Sequence, residues 1–345
     1  MNIELFDYEL PRELIAQFPA RRRDQSRLMI LNRDDDKISR ICSFGNITDY
    51  LHCGDALVVN NTKVFKARLF GHRKTGARVE VFLIRTVGDD KLAWYAFVSP
   101  SRRVKVGETV LFDVLGLLLE QDVGGGRWIV RFGSLSQREK IISRYGHVPL
   151  PHYIKRDDIP GDLRRYQTLF ADQSKIGAVA APTAGFHFTR PLLGSLKEKG
   201  VRLVELTLHV GPGTFKPVSV DKIEDHVVDP EFAELTPEST TILNEVRREG
   251  GRVMAVGTTS VRTLESAPIV DGVIQPFSEM VDLYIRPGYD FKVVDHLITN
   301  FHLPKSSLLI LVSALAGRQR IIEAYHEAIR QRMRFYSYGD AMLIL

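Results

Sequence analysis

In the second half of the chain one order of signals comes round four times: a short apolar run, a loop of small and polar residues, then in most cases the start of a helix. "IGAVA" precedes "APTAGFHFT", "RLVELTLHV" precedes "GPGTFKPV", "GGRVMAVG" precedes "TTS" and "VRTLES", and "DHLITN" precedes "FHLPKSS" and "LLILVSALAG". Apolar strands alternating with helical patterns are the grammar of an α/β fold. Thr189 reads as the N-cap of the helix "RPLLGSLKEKG", and Gly200 as its stop. In open α/β sheets ligands sit beyond the carboxyl ends of the strands, where loops and helix N-termini converge. The four loops are therefore expected to line one crevice.

Between Phe65 and about Gly146 the texture changes. Short alternating or β-branched runs, "ARVEVFLIRT", "LAWYAFVS", "ETVLFDV" and "RWIVRFG", are separated by the turns "GDD", "KVGE" and "GGG". This predicts a small β-barrel. With α/β grammar on both sides, the barrel is expected as an insert of residues 65–146 in a discontinuous α/β catalytic domain of residues 1–64 and 147–345. The Pro-rich "VPLPHYIKR" serves as the return linker. Charge follows the same division: Phe65 to Tyr145 holds 15 Lys or Arg against 8 Asp or Glu, or +7, and the remaining 32 against 34 give −2, for a net +5. Basic and aromatic residues together in the insert suit a polyanion.

Other classes recede on composition. Only Cys42 and Cys53 are present, without neighbours at metal-ligand spacing, so neither a disulfide framework nor a bound metal is expected. The start "MNIELFDYEL" does not read as a signal peptide, and no apolar run approaches the roughly 20 residues of a membrane helix. A cytoplasmic enzyme, acting as a monomer, is the expectation.

His187, His209 and His302 stand at or just after the ends of apolar runs, on loops that should converge. Each alone reads as a structural hydrogen-bond partner; together they suggest proton transfer. "GPGTF" has Lys216 where a third glycine would complete a dinucleotide fingerprint, so it reads as a turn that brings backbone close to a ligand. "GTTSVR" places Thr258, Thr259 and Ser260 at a helix start with Arg262 in the first turn, a set suited to a carboxylate or phosphate. Asn60, Asn61, Thr62 and Arg68, in "NNTKVFKAR", lie at the border of the insert.

Taken together, "FDYELPRELIAQFPA", "RDQSRLM", "NNTKVFKAR", "AAPTAGFHFT", "LHVGPGTFKPV", "VGTTSVRTLES", "ITNFHLPKSSLLILVSALAG" and "RFYSYGDAMLI" closely resemble the S-adenosylmethionine:tRNA ribosyltransferase-isomerase family of queuosine biosynthesis. The resemblance runs from Phe6 to Ile344, with the blocks in family order. This chain has Phe186 and Pro212 where the family usually has Leu, and His152 where it has Pro. "HVVDPE" keeps His226 and Glu231 of a His-x-Met-His-x-Glu block but sets Asp229 at the second histidine.

The resemblance implies an α/β domain interrupted by a β-barrel insert. It also implies S-adenosylmethionine as co-substrate, without a metal, and a tRNA anticodon arm carrying 7-aminomethyl-7-deazaguanine as partner. The ribosyl group would pass to that base, leaving adenine and methionine. On this reading His187, His209 and Glu231 are the candidates for proton transfer, with Phe186 and Phe188 packing on the nucleoside. Asn60, Asn61, Thr62, Arg68, Pro182, Thr183, Gly185, Gly211, Gly213, Thr214, Thr258, Thr259, Arg262, Asn300, His302 and Lys305 are candidates for substrate binding. Two alternatives stay open: an S-adenosylmethionine-dependent RNA methyltransferase, and an RNA-binding relative without turnover.

Overall fold

A computed structural model describes residues 1–33, 40–215 and 217–345, with Thr214 and Phe215 by backbone alone. Its larger sheet has the spatial order Phe277–Val281, Glu231–Leu235, Arg202–Leu208, Ala56–Asn60, Val253–Val256, His296–Asn300, Ala341–Ile344, Arg27–Leu31, Ile41–Ser43. Four adjacent strands, from Arg202–Leu208 to His296–Asn300, run parallel. Ala341–Ile344 returns antiparallel beside them.

The sheet is covered on both faces, as parallel strands require. Ala56 and Val58 point into one core with helices Pro237–Arg248, Thr258–Ser266, Ser307–Ala316 and Arg318–Arg330; Leu57 and Val59 point into another with Leu192 and Leu196 of helix Arg190–Glu198. That alternation is the period-2 geometry of a strand read out twice. Thr189 caps its helix by accepting from the Leu192 N–H, and Gly200 follows the helix end at φ +85°.

The insert is a closed barrel. Strands Arg68–His72, Arg78–Val87, Asp90–Ser99, Arg127–Phe132, Leu115–Gly124 and Thr109–Phe112 pair in that order, and His72 opposite Leu111 closes the ring. Val79, Val81, Leu83, Ala96, Val98, Trp128 and Val130 fill it by the same alternation, and Ile141 of helix Leu135–Tyr145 plugs it.

Two of the four expected strand–loop–helix units are built differently. Ile176–Ala178 pairs in a two-stranded ribbon with Lys63–Val64 rather than joining the large sheet. The run is short and made of small residues, and its continuation Val179 is buried in the barrel core instead. The loop after Arg202–Leu208 does not start a helix of a crossover unit; a 3-10 turn at Pro212–Phe215 leads on to the antiparallel strand Glu231–Leu235. Antiparallel return needs no crossover helix. Among the described residues no helix is long and apolar enough to cross a membrane.

Gly71 marks where the barrel closes. A Cβ there would lie 2.6 Å from Val110 Cγ1 and 2.8 Å from the Leu111 carbonyl oxygen. A strand glycine that admits a neighbouring backbone so closely has no room for a side chain. Gly71→Val is expected to destabilise the chain by on the order of 3 kcal/mol, measured by urea unfolding; wild-type stability would show that the ring does not close at this point.

Candidate functional site

The parallel strands end at Asn60, Leu208, Val256 and Asn300, on one edge of the sheet. Beyond Val256 and Asn300 lies a cleft with about 600 Å³ of empty space, walled by Pro182, Thr183, Thr258, Thr259, Asn300 and His302 and by the aromatic rings of Tyr153, Phe301 and Tyr336. Six residues singled out from three sequence motifs thus meet in one place.

Gly257 enables the turn into helix Thr258–Ser266 at φ +88°. This conformation suits a residue without Cβ. The helix therefore begins at the cleft wall, with the Thr258 and Thr259 N–H groups at its first turn, where intrahelical acceptors are missing. The Thr259 hydroxyl is buried and, among the described residues, has no hydrogen-bond partner. Buried polar atoms normally find partners. One without a partner, on a residue that lines the cleft, is a candidate for contact with a ligand.

Behind the wall runs a hydrogen-bond relay. Thr183 Oγ1 donates to Asn300 Oδ1 at 2.8 Å, and Asn300 Nδ2 donates to His187 Nε2 at 3.1 Å. His187 Nδ1 then donates to Ser26 Oγ at 2.6 Å, while the Ser26 hydroxyl donates to the Arg23 carbonyl at 3.1 Å. Both imidazole nitrogens are thus engaged. The two phenylalanines beside His187 do not line the main cleft: Phe188 is fully buried against Phe44 and Phe170, and Phe186 lies between Tyr166 and Tyr338 and faces a smaller cavity. Gly185 is closely packed, because a Cβ would come within 2.8 Å of Thr168.

His302 is the imidazole that lines the cleft. Its Nε2 meets Thr299 Oγ1 at 2.8 Å, and among the described residues its Nδ1 has no hydrogen-bond partner. The backbone around it is fixed by the Tyr325 and Tyr8 hydroxyls.

The remaining candidates lie elsewhere. Asn60 ties its strand to the next by donating to the Leu208 carbonyl and accepting from the Leu208 N–H; Asn61 bonds Thr207 and Glu205. Thr62 Oγ1 sits 2.7 Å from His209 Nδ1, and His209 stacks on Phe232. Arg68 pairs with Glu80 within the barrel, and Lys305 with Glu4 and Asp7 of the N-terminal segment. Glu231 and Arg262 form a buried ion pair, and the second Glu231 oxygen accepts from the Gly211 N–H at 2.6 Å. Arg262, expected to receive a ligand's carboxylate or phosphate, is thus already met by a carboxylate of the protein. The pair borders a second cleft with about 1090 Å³ of empty space, which includes Gly213 and His226. Asp229 reaches across it to Arg127 of the barrel at 2.9 Å. The side chain of Thr214 lies outside the described residues.

Sequence reasoning selected no residue from "RFYSYGDAMLI", yet Tyr336 and Ser337 line the main cleft, and the Asp340 carboxylate holds the Arg27 and Arg334 N–H groups. The tyrosines and glycine ahead of the last strand were the available signal.

Burial lowers the pKa of His187 to about 3, with Arg23 and Arg334 adding to it, and that of His302 to about 3. Burial and Lys175 lower His209 to about 4, against Glu234. All three are neutral at pH 7. A histidine whose pKa falls from 6.5 on folding binds fewer protons in the folded state below pH 6.5. Its stabilising contribution is whole above that pH and lost as pH falls toward 3. Stability is expected to drop from just below pH 6.5 by up to about 1.4 kcal/mol per pH unit for each buried histidine. Urea unfolding between pH 7.5 and 4.5 checks this, and a flat profile would contradict it.

Comparison with known proteins accords with this architecture. The chain matches the family model described as queuosine biosynthesis protein over residues 3–344. It is 49% identical to S-adenosylmethionine:tRNA ribosyltransferase-isomerase of Aquifex aeolicus and 46% identical to that of Desulforamulus reducens, with 100% of each chain covered. The crystal structure of S-adenosylmethionine tRNA ribosyltransferase from Thermotoga maritima superposes with a TM-score of 0.56 at 36% identity, covering 99% of this chain and 100% of that one. With a family match across nearly the whole chain and full-length relatives at almost half identity, the chain belongs to the queuosine biosynthesis protein family.

Proposed function

We propose that the chain transfers and isomerises the ribosyl moiety of S-adenosylmethionine onto 7-aminomethyl-7-deazaguanine at the wobble position of tRNA, giving epoxyqueuosine-tRNA, adenine and methionine. The relatives' names support the reaction. The observation that carries the donor site is the unpartnered Thr259 hydroxyl, set at a helix N-terminus in an aromatic cleft. Hydrogen-bond donors at a helix start suit the donor's carboxylate or ribose oxygens, and the rings suit its adenine.

The sulfonium acidifies the adjacent C5′ proton and makes methionine a good leaving group, so the protein must supply a base and a dry pocket; we take no metal to be needed. His302 lines the cleft and its Nδ1 has no hydrogen-bond partner among the described residues, which makes it the best-placed proton acceptor by position, although burial makes it as weak a base as His187. His187 then acts through Asn300 as a positioning residue, His209 through Thr62, and Glu231 by holding Arg262. The second cleft, bounded on one side by Arg127 of the barrel, is the space for the acceptor base. We take residues 1–64 with 147–345 as the catalytic unit and 65–146 as the insert, whose +7 charge attracts the anticodon arm. The protein would act as a cytoplasmic monomer.

A product assay tests the reaction: protein, S-adenosylmethionine and an anticodon stem-loop bearing the aminomethyl-deazaguanine. Free adenine and methionine with a matching gain in RNA mass are expected. S-adenosylhomocysteine would mean methyl transfer instead, and intact donor with bound RNA a binder without turnover. Thr259→Val separates binding from folding. Removing an unsatisfied hydroxyl should leave stability unchanged or slightly raised, while donor affinity falls by about twofold to tenfold; unaltered affinity by calorimetry would remove Thr259 from the site.

A further inference from the structure

A second, smaller cavity opens on the other side of His187, with about 280 Å³ of empty space and Arg23, Arg165, Tyr338 and Gly339 in its wall. Ser337 lines both this cavity and the main cleft. We propose that this arginine-walled cavity seats a backbone phosphate of the RNA, next to the nucleotide presented to the main cleft. The proposal rests on the tRNA-modifying reading above.

The way the arginines are held carries the argument. Arg23 donates to the carbonyls of Phe186, Arg164 and Gln167, Arg165 to those of Ala20 and Arg21, and Arg334 to that of Phe18. Among the described residues none of the three has a carboxylate at ion-pair distance. Arg165 Nε is buried and, among the described residues, has no hydrogen-bond partner. In the barrel, by contrast, Arg73 meets Glu108, and Arg131 meets Asp90 and Glu120. Carbonyl oxygens fix a guanidinium in place but leave its charge uncancelled. Burial and the neighbouring Arg165 push the Arg23 pKa down to about 10, so like charges are held together here while both remain protonated at pH 7.

The acidic groups nearby are largely engaged: Asp162 pairs with Arg156, Asp340 accepts backbone N–H groups, and one Asp24 oxygen accepts from Arg22 and Thr189, while its other oxygen is buried without a hydrogen-bond partner among the described residues. Arg21 and Arg164 extend the charge onto the exposed surface. Clustered guanidinium groups with a spare donor are a phosphate site by chemistry. Such a contact sets the register of RNA without reading its sequence.

The test is binding of the modified anticodon stem-loop across a salt series, by fluorescence anisotropy, to wild type, Arg165→Gln and the exposed double variant R21Q/R164Q. Each lost phosphate contact should weaken binding whatever the loop sequence and reduce the slope of log affinity against log salt by about 1. A melting temperature equal to wild type for R21Q/R164Q separates lost contact from lost fold. Wild-type affinity and slope in both variants would overturn the proposal, as would absence of RNA binding by the wild type. Wild-type binding without adenine release would overturn the proposed reaction while leaving the phosphate seat standing on the variants' loss of affinity.

Discussion

The Asn300 side chain is the joint on which the site depends. It accepts from Thr183, donates to His187 and lies 3.4 Å from the Asp340 carbonyl, so one buried amide joins the end of a central strand to the loop before helix Arg190–Glu198 and to the last strand. Through His187 the connection reaches Ser26, at the edge of the Arg27–Leu31 strand. Buried networks of this kind are worth most when fully satisfied, because loss of one member strands its partners away from water. A neutral His187 is part of that condition: it both accepts and donates. The same burial that makes it a weak base makes it a good strut.

The two sides of this joint have different characters. One is an aromatic cleft with an unpartnered hydroxyl and a helix N-terminus, fit for a small polar nucleoside. The other is walled by guanidinium groups whose charge is uncancelled, fit for a polyanion. Across the sheet edge, the Glu231–Arg262 pair and the Arg127–Asp229 bridge link the larger second cleft to the barrel. An ion pair as buried as Glu231–Arg262 adds little net stability over apolar packing, and breaking it would leave a lone charge, so it favours one geometry of that wall.

The sheet was legible because its strands are buried on both faces and read as plain apolar runs; the barrel was legible through alternation and glycine turns. The "IGAVA" run misled because Ile176–Ala178 pairs with Lys63–Val64 and Val179 turns into the barrel core, so the run does not join the large sheet. The main cleft was legible where chemistry and loop position coincide, as at Thr183, Thr258, Thr259, Asn300 and His302, which line it together. His187 drew attention by its setting, but its partners Ser26 and Asn300 lie 161 and 113 residues away, and only the fold brings them together. The Glu231–Arg262 pair was hidden for the same reason. The arginine cavity was hidden by averaging: outside the insert the charges sum to −2, although Arg23 and Arg165 meet in one cavity and Arg334 lies close enough to act on His187.

The account turns on where S-adenosylmethionine sits. Amide hydrogen exchange of the whole chain, with and without the donor and without RNA, tests this most directly. The account predicts slowed exchange at residues 257–260 and 299–303, the helix start and strand end that wall the main cleft. Unchanged exchange there, with slowing confined to residues 225–231 beside the second cleft, would contradict it.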